Sequence, residues 1–385
     1  MYYLKLIFKN MFRAKLRSSL TIIGLVIAIV AFGLLQTVVD AWFAGPNAAS
    51  ASRLVTRNAI SLTFSMPTYY RERMRAVSGV RRVTLVNWFG GVYKEPKNFF
   101  PQFAVDHENF LDLYPEFIIP NEQLLAFKRD RQGAAIGRKL ADEFGWKIGD
   151  TIPIRGTIFP GTWNFTVRAV FDGKDETTLT RQMYFHWDYI NEWLKQRFPR
   201  RTDQIFMFVI EVDEPSRTAD IAKAIDAEFK NSLAETLTET EKSFQLGFIA
   251  QMEQIILTIR IVSFVVIFII MAVVANTMAM TARERLREYA TLKALGFSPG
   301  FVAALVFGEA LMLSLVGGGL AILLTFPIAK AVGVIASAIF VVFKVSQSTV
   351  LLQLACATVV GIAAALVPGW SSARIKIVDG LRHVG

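Results

Sequence analysis

Four long apolar stretches interrupt a mixed pattern of polar and hydrophobic residues along the chain. A helix needs about 20 apolar residues to cross the hydrocarbon core of a bilayer, and each stretch reaches that length. Spans 1, 3 and 4 are predicted at residues 18–40, 300–329 and 350–372, and residues 251–282 are predicted to hold the end of a stalk followed by span 2 at 261–282. The pattern therefore predicts a membrane protein with four transmembrane α-helices.

The long segment between spans 1 and 2, residues 41–250, changes between two periodicities. Runs rich in β-branched and aromatic residues predict strands, and apolar residues at helical spacing predict helices. Strands are predicted for AISLTF (59–64), RRVTLVNWF (81–89) and DQIFMFVIEV (203–212), and helices for PTYYRERMRAV (67–77) and SRTADIAKAIDAEFK (216–230). Together they predict a large α+β domain inserted between spans 1 and 2.

Two parts of this domain carry more specific predictions. Residues from about 101 to 200 are expected to form an inserted subdomain, a short helix followed by a hairpin-rich sheet. Residues 239–259 have helical character and contain no Pro or Gly-rich linker. We therefore expect a continuous helix, a stalk, to join the domain rigidly to span 2.

The distribution of charge predicts the orientation of the spans. The chain is 53% hydrophobic, with a mean hydropathy of +0.40, and its formal net charge is +10. Basic residues precede span 1 and follow spans 2 and 4: Lys5, Lys9, Arg13, Lys15, Arg17, Arg283, Arg285, Arg287, Lys293, Arg374, Lys376 and Arg382. Such clusters mark cytoplasmic segments. This placement of the charge favours membrane lipid as a partner and argues against nucleic acid.

This rule places the basic segment 1–17, the segment 283–299 and the tail 373–385 in the cytoplasm. The α+β domain and the connection 330–349 are then extracytoplasmic. The apolar sequence AVGVIASAIFVVF in that connection is short for a span. It is expected either to extend span 3 or to lie on the membrane surface.

Motifs for catalysis or nucleotide binding are not found in the sequence. It contains no G-x-x-x-x-G-K-[ST] phosphate loop. His107, His186 and His383 do not have the spacing of a zinc site, and the lone Cys356 cannot form an intrachain disulfide. We therefore predict no catalytic, cofactor-binding or metal site in this chain, and no enzyme activity of its own.

The segment RERLREYATLKALGFSP, residues 283–299, is predicted to contain a short helix. Thr281 and Glu284 fit a capping box at its start. Gly296 and Pro299 give a stop signal at its end.

Two interpretations of this helix are open. In the first interpretation, the segment is a basic loop whose positive charge only orients the spans. Such a loop has no need of an ordered apolar side, which Tyr289, Leu292 and Leu295 provide. These three residues favour a helix that docks on another protein.

Polar residues within the spans are further candidates. Glu309 lies in span 3, where a charged side chain costs about 2.5–3.5 kcal/mol on insertion scales. One expectation is a polar link to Asn276 or to a basic residue near the cytoplasmic face. The other is a protonated or interface-reaching carboxyl with only a structural role.

Small residues recur after Glu309 in span 3: Ala310, Ser314, Gly317, Gly318 and Gly319. Small side chains let helices approach closely in lipid. We expect this face to pack closely against another helix, and a flexible hinge is the competing interpretation.

The block NTMAMTARERLREYATLKALGFSPGFVAALVFGEALMLSLVGGGL, residues 276–320, resembles the C-terminal permease module of FtsX-like and MacB-like ABC transporter subunits. The resemblance rests on Asn276, Glu284, Arg285, Glu288, Lys293, Ala294, Gly296, Glu309 and Gly317 to Gly319. KLRSSLTIIGLVIAI (15–29) is similar to the family's first span and AAIGRKLADEFGWKIGD (134–150) to its external core domain. The tail resembles the family at Pro368, Ala373, Leu381 and Arg382 and departs from it at Gly369 and 378–380.

The resemblance implies a multi-pass subunit of the bacterial cytoplasmic (inner) membrane that binds a separate ABC ATPase. It also implies a second permease copy, identical or different, and allows a periplasmic adaptor and an outer-membrane channel. ATP and Mg would bind to the ATPase and not to this chain. The ATPase-coupling helix would use Arg283, Glu284, Arg285, Leu286, Arg287, Glu288, Tyr289, Leu292, Lys293 and Gly296, with Leu286, Tyr289 and Leu292 in the ATPase groove and the arginines at its edge.

Two functions are compatible with this resemblance. The favoured one is the permease of an ATP-driven exporter or extractor that passes ATPase motion to its extracytoplasmic domain (mechanotransmission). The alternative is an FtsX-like transmembrane regulator that switches an extracytoplasmic partner enzyme. The size of the domain favours the MacB-like branch, and the substrate stays open.

Overall fold

The computed structural model describes residues 13–336, 340, 342–375 and 377. The chain forms two compact units. Residues 43–251 are called the α+β domain, and the segments on either side of them are together called the span unit. Several residues used above lie outside the described residues: Lys5, Lys9, Lys376, Leu381, Arg382 and His383.

The bounds of the elements are as follows. The α-helices are α1 (Lys15–Ala48), α2 (Tyr70–Arg75), α3 (Asn121–Arg129), α4 (Arg138–Phe144), α5 (Trp187–Arg197), α6 (Thr218–Glu228), α7 (Glu241–Ala250), α8 (Glu253–Glu284), α9 (Leu286–Ala294), α10 (Pro299–Ala336) and α11 (Gln347–Arg374). The strands are β1 (Arg53–Asn58), β2 (Met66–Pro67), β3 (Val80–Trp88), β4 (Gln102–Val105), β5 (Phe117–Ile118), β6 (Gly133–Gly137), β7 (Thr151–Gly156), β8 (Gly161–Gly173), β9 (Met183–His186), β10 (Gln204–Ile205), β11 (Met207–Val212) and β12 (Thr236–Thr240).

Helices α1, α8, α10 and α11 are long and apolar enough to cross a membrane, which confirms the prediction of four spans. They share one apolar core, in which Leu25, Ile29, Val274, Ala310 and Ala357 are fully buried. Helix α10 continues beyond the predicted end of span 3, so the first part of the apolar 330–349 connection extends that span.

Ten strands of the α+β domain form one mixed sheet in the order β12-β1-β11-β3-β4-β9-β6-β8-β5, with β7 paired to β8. Strand β4 pairs antiparallel with β3 and parallel with β9. Residues 101–200 therefore add strands to the main sheet and share its core. These strands lie next to one another at one end of the sheet, and the inserted subdomain stays a prediction.

Side chains alternate along the strands and give the sheet two packed faces. On β11, Phe208 and Ile210 belong to one buried cluster and Val209 to another. The first cluster includes side chains of α2, α5 and α6, where Tyr70 stacks on Phe229 with 4.2 Å between ring centroids. The second face carries a cavity described below.

Most predicted elements of the domain are present, but AISLTF is not a strand. Residues 59–64 form a loop after β1. The Asn58 side chain accepts a hydrogen bond from Ile60 N–H at 2.9 Å, and the Ser61 hydroxyl accepts one from Thr63 N–H at 3.2 Å. These local bonds replace the ladder that a strand requires.

The predicted continuous stalk is also wrong. Helix α7 ends at Ala250, and α8 begins at Glu253 after a two-residue interruption. Gln251 N–H donates to the Phe248 carbonyl, which closes α7 with a tight turn. No Pro or Gly marks this break in the sequence.

Candidate functional site

Helix α9 lies between spans 2 and 3 and starts later than the capping box predicted. Span 2 continues as one helix to Glu284, and α9 begins at Leu286 after a break at Arg285. Thr281 is inside the span helix, where its hydroxyl donates to the Thr277 carbonyl at 3.0 Å. Thr281 and Glu284 therefore do not form a capping box.

The predicted stop of α9 at Gly296 is confirmed. Gly296 has a φ of +92°, a left-handed conformation that favours glycine. Its N–H donates to the Lys293 carbonyl, and the N–H of Phe297 donates to the Leu292 carbonyl. These two bonds form a Schellman motif, after which Pro299 starts α10.

Glu309 forms a buried ion pair with Arg285, at the break between α8 and α9. Arg285 Nη1 donates to Glu309 Oε2 at 2.8 Å, and the two side chains are 9% and 7% exposed. The expected polar link between Glu309 and a basic residue is thus present. Asn276, the other expected partner, is exposed on α8 and does not join this pair.

Two further ion pairs connect the region of α9 to the start of span 1. Arg17 binds Glu284 through both carboxylate oxygens, at 2.5 and 2.8 Å. Arg13 donates to Glu288 of α9. The N-terminal basic residues, expected only to orient span 1, therefore also bind the acidic residues around α9.

Lys293 connects α9 to the end of span 4. Its Nζ donates to the carbonyls of Ala373 and Ile375, at 2.5 and 2.8 Å. A lysine at this position satisfies terminal carbonyls of α11 and complements the negative end of its dipole.

Two of the predicted ATPase-facing residues are instead buried within this chain. Tyr289 is 5% exposed and belongs to the apolar core of the spans, and Arg285 is paired with Glu309. Burial, with the charge of Glu309, raises the pKa of Tyr289 to about 12, so its hydroxyl stays neutral. Tyr289 and Arg285 are therefore not accessible on the surface of α9 in this chain, and their contact with an ATPase stays a prediction.

An exposed surface remains on α9 and at its end. Leu295 is 72% exposed and Phe297 is 42% exposed, Leu286 and Leu292 are half-buried, and Arg283, Arg287 and Glu288 are exposed. Contact of this surface with an ATPase stays a prediction.

The small residues of α10 pack closely, as predicted, with one exception. A Cβ added at Gly317 would lie 2.9 Å from Leu25 Cβ of α1, and one at Gly318 would lie 2.5 Å from Ala357 Cβ of α11. The Ser314 hydroxyl donates to the Ala357 carbonyl at 2.5 Å. Gly319 has no atom within 4 Å of its Cβ position and takes no part in this packing.

We expect Gly318→Ala to destabilise the span unit by about 1–3 kcal/mol, the usual cost of overpacking. The adjacent Gly319→Ala is the matched control and should be neutral or slightly stabilising. Unfolding with SDS in mixed micelles, followed by circular dichroism, measures both. Equal stability of the two variants would contradict the close packing.

Gln353 is a buried polar residue that the sequence analysis missed. Its Nε2 donates to the Ile29 carbonyl of α1 at 2.9 Å and to Thr325 Oγ1 of α10 at 2.8 Å. Glycine at position 33 leaves room for it, because an added Cβ would lie 2.1 Å from that nitrogen. The amide therefore links spans 1, 3 and 4.

The α+β domain contains a second buried ionic cluster, centred on Arg53 of β1. Arg53 Nε donates to Glu241 Oε2 at 2.7 Å, and Arg53 Nη2 donates to Glu116 Oε1 at 2.5 Å. Its Nη1 donates to the Leu113 carbonyl at 3.1 Å, and its guanidinium lies 4.3 Å from the centroid of the Tyr114 ring. The cluster joins β1, the first turn of α7 and the loop before β5.

Burial and charge shift the pKa values in this cluster. Burial disfavours the charge on Arg53, but Glu241 and Glu116 outweigh it and raise the pKa of Arg53. Burial also raises the pKa of Glu241, and the charge of Arg53 opposes that rise. The guanidinium therefore holds Glu241 closer to its ionised form than burial alone would allow.

The cluster borders a cavity of about 460 Å³ on the second face of the sheet. Its aromatic lining comes from Phe103, Phe110, Tyr114, Phe117 and Tyr184. The ends of α1 and α7 also line it, with Phe244 of α7 as a further aromatic side chain, and so do residues of the 174–182 segment.

Two histidines that the sequence analysis treated as isolated are neighbours. His107 and His186 stack with 4.3 Å between ring centroids. Burial, and the positive charge that His107 can carry, lower the pKa of His186 to about 4. Within the described residues, no group of three or more His, Cys, Asp or Glu side chains could hold a metal ion.

The fold and the site define a class: a multi-pass membrane protein with an α+β domain between spans 1 and 2 and a short fastened helix between spans 2 and 3. The MacB-like periplasmic core domain family matches residues 18–228, and the FtsX-like permease C-terminal family matches residues 260–377. The chain therefore belongs to the MacB-like and FtsX-like family of ABC transporter permeases.

The chain is similar to the following proteins at low sequence identity. An uncharacterized ABC transporter permease of Methanocaldococcus jannaschii is 23% identical over an alignment of 398 positions. The alignment covers 97% of this chain and 96% of that protein. The extracellular domain of the noncanonic ABC-type transporter YknZ from Gram-positive bacteria is 12% identical, with a TM-score of 0.34, and covers 49% of this chain and 100% of its own. The periplasmic region of MacB from Actinobacillus actinomycetemcomitans is 9% identical, with a TM-score of 0.35, and covers 51% of this chain and 92% of its own.

Proposed function

We propose that this chain is the permease of an ATP-driven exporter or extractor, and that it passes the motion of a separate ABC ATPase to its α+β domain. The observation that carries the proposal is the fastening of α9. Glu284 and Arg285, which precede α9, form ion pairs with Arg17 of span 1 and Glu309 of span 3. Lys293 of α9 donates a hydrogen bond to the end of span 4. A displacement of α9 would therefore act on the whole bundle.

The ATPase would dock on the exposed surface of α9 rather than on Tyr289. Leu286 and Leu295 supply apolar contacts, and Arg283 and Arg287 supply positive charge. ATP and Mg would bind to the ATPase. In this proposal α9 and both chain ends lie in the cytoplasm of a cell with an inner membrane, and the α+β domain lies outside. The basic residues around α9 support this orientation.

A second permease copy would cover part of span 2. Helix α8 buries a single stripe of residues, while Phe264 and Phe268 are exposed. Asn276 is also exposed on α8, and a polar side chain in lipid is stabilised by hydrogen bonds across helices. The partner would be an identical or a related chain, and an adaptor and an outer-membrane channel would act beyond it.

The regulatory alternative would use the same parts. An FtsX-like regulator would transmit the same motion to an external partner enzyme. The domain of more than two hundred residues favours export or extraction, because it contains its own sheet and a cavity suited to a ligand.

The double variant Leu286→Gln with Leu295→Gln tests the proposed docking and transmission. The wild-type chain is purified from its native membrane with its ABC ATPase and placed in lipid nanodiscs. Hydrogen exchange of residues 43–251 is then compared with and without ATP. We expect ATP to change exchange in the wild type, and the variant to lose both the ATPase and this response, since each buried leucine contributes about 1.5–3 kcal/mol.

The matched control is Leu233→Gln, an exposed leucine of the α+β domain, which should keep both the ATPase and the response. Retention of the ATPase by the double variant would show that α9 is not the docking surface. A wild-type complex whose α+β domain does not respond to ATP would contradict mechanotransmission. Native mass spectrometry of the same sample counts the permease copies.

A further inference from the structure

The cavity of the α+β domain has the size and lining of a small-molecule site. Ligand pockets commonly have volumes of about 300–1,000 Å³, with mostly apolar walls and a few polar groups. This one has about 460 Å³. Among its polar groups, Arg53, Glu116 and Glu241 form one ion-paired cluster, so the charged group of a ligand would be oriented towards that end.

The formal charge of that end is negative. Two carboxylates, Glu116 and Glu241, surround one guanidinium, and Lys174 and Asp175, which also line the cavity, offset one another. Arg53 already donates to both carboxylates and to the Leu113 carbonyl. An anionic ligand would meet the two carboxylates, whereas a cation would complete the charge balance.

The aromatic lining also suits a cation. Aromatic faces attract a cationic group that lies within about 6 Å of the ring centroid. The Arg53 guanidinium already occupies such a position over Tyr114. Phe110, Phe117 and Tyr184 add aromatic surface beside it.

We propose that this cavity binds an amphipathic organic cation. The apolar body of the ligand lies against the aromatic side chains and its cationic group lies beside Glu116, which is 27% exposed and lines the cavity. This proposal concerns the α+β domain and does not depend on the ATPase.

Tetraphenylphosphonium and tetraphenylborate test it, because they share size and shape and carry opposite charges. Equilibrium dialysis uses the full chain in nanodiscs without ATPase, with empty nanodiscs as the reference. We expect saturable binding of one phosphonium per chain. Binding of the borate, after subtraction of the reference, should be at least about tenfold weaker, because like charges repel at a desolvated site.

Two variants locate the binding. Leu179→Arg places a positive charge at a lining position that is 40% exposed, and it should weaken phosphonium binding about tenfold or more. Glu116→Gln should weaken it several-fold. The control Leu233→Arg, at an 88% exposed leucine outside the cavity lining, should leave binding unchanged.

Tryptophan fluorescence checks that each variant is folded. If Glu116→Gln does not fold, Leu179→Arg alone tests whether the cavity is the binding site. The proposal is overturned if the phosphonium shows no saturable binding above empty nanodiscs. It is equally overturned if the borate binds as well as the phosphonium, or if folded Leu179→Arg binds like the wild type.

Discussion

Glu309→Ala is expected to destabilise the span unit by about 3–5 kcal/mol, the cost of leaving one partner of a buried ion pair uncompensated. The substitution removes the carboxylate that pairs with Arg285 at 2.8 Å, where both side chains are nearly inaccessible. SDS-induced unfolding in mixed micelles, followed by circular dichroism, measures the loss. A variant within about 1 kcal/mol of the wild type, as for an exposed pair, would show that the pair is not desolvated.

Two controls separate burial from charge. Glu288→Ala breaks the exposed pair of Glu288 on α9 with Arg13, which lies just before α1, and stability should change little. The double variant Arg285→Met with Glu309→Leu removes both charges. It should recover most of the loss, because an apolar pair of similar volume often replaces a buried ion pair without cost.

Arg53→Ala is expected to destabilise the α+β domain by about 3–5 kcal/mol at pH 8. It leaves Glu241 buried without its cation and removes the bonds to Glu116 and Leu113. Thermal unfolding followed by tryptophan fluorescence measures the loss in the full chain, because five of the seven tryptophans lie between residues 88 and 193.

The loss caused by Arg53→Ala should be smaller at pH 5 than at pH 8. Burial already raises the pKa of Glu241, and removal of the arginine raises it further. A carboxyl with a raised folded pKa binds protons more readily in the folded state, so stability falls as pH rises towards that pKa. As the pH falls through the raised pKa of Glu241, the unpaired carboxyl takes up a proton, and the burial of its charge then costs less free energy.

Arg57→Ala is the matched control on the same strand. Arg57 pairs with Glu239 at 3.3 Å, and both side chains are 21% exposed, so the cost should be below about 1 kcal/mol. Equal losses for Arg53→Ala and Arg57→Ala, or a loss for Arg53→Ala that does not depend on pH, would contradict the buried cluster.

The spans and the close packing of α10 could be predicted because apolar length and small residues are local signals. A polar partner for Glu309 was expected, since a carboxylate in lipid needs one. The identity of that partner was not predicted. Arg285 was assigned to the ATPase surface through the family resemblance, whereas in the structure it lies at the break between α8 and α9 and is buried.

The ionic cluster in the α+β domain was missed for a related reason. β1 contains Arg53, Thr56, Arg57 and Asn58, which do not resemble a buried strand, yet Arg53 and Thr56 are buried by partners far away in sequence. Thr56 lies 2.9 Å from Thr238 between hydroxyl oxygens, and Arg53 pairs with Glu241. A single sequence does not show which distant side chains compensate a buried polar group.

The different ends of spans 1 and 2 have a mechanical consequence. Helix α1 is continuous from Lys15 to Ala48, whereas the helix of span 2 is interrupted at Gln251 and Met252, both of which are exposed. A continuous helix conveys axial displacement and rotation along its length, while an interruption allows the angle between two helices to change. Under the proposed function, α1 is therefore the uninterrupted helical connection between a span and the α+β domain, whereas the helix of span 2 is interrupted at residues 251–252.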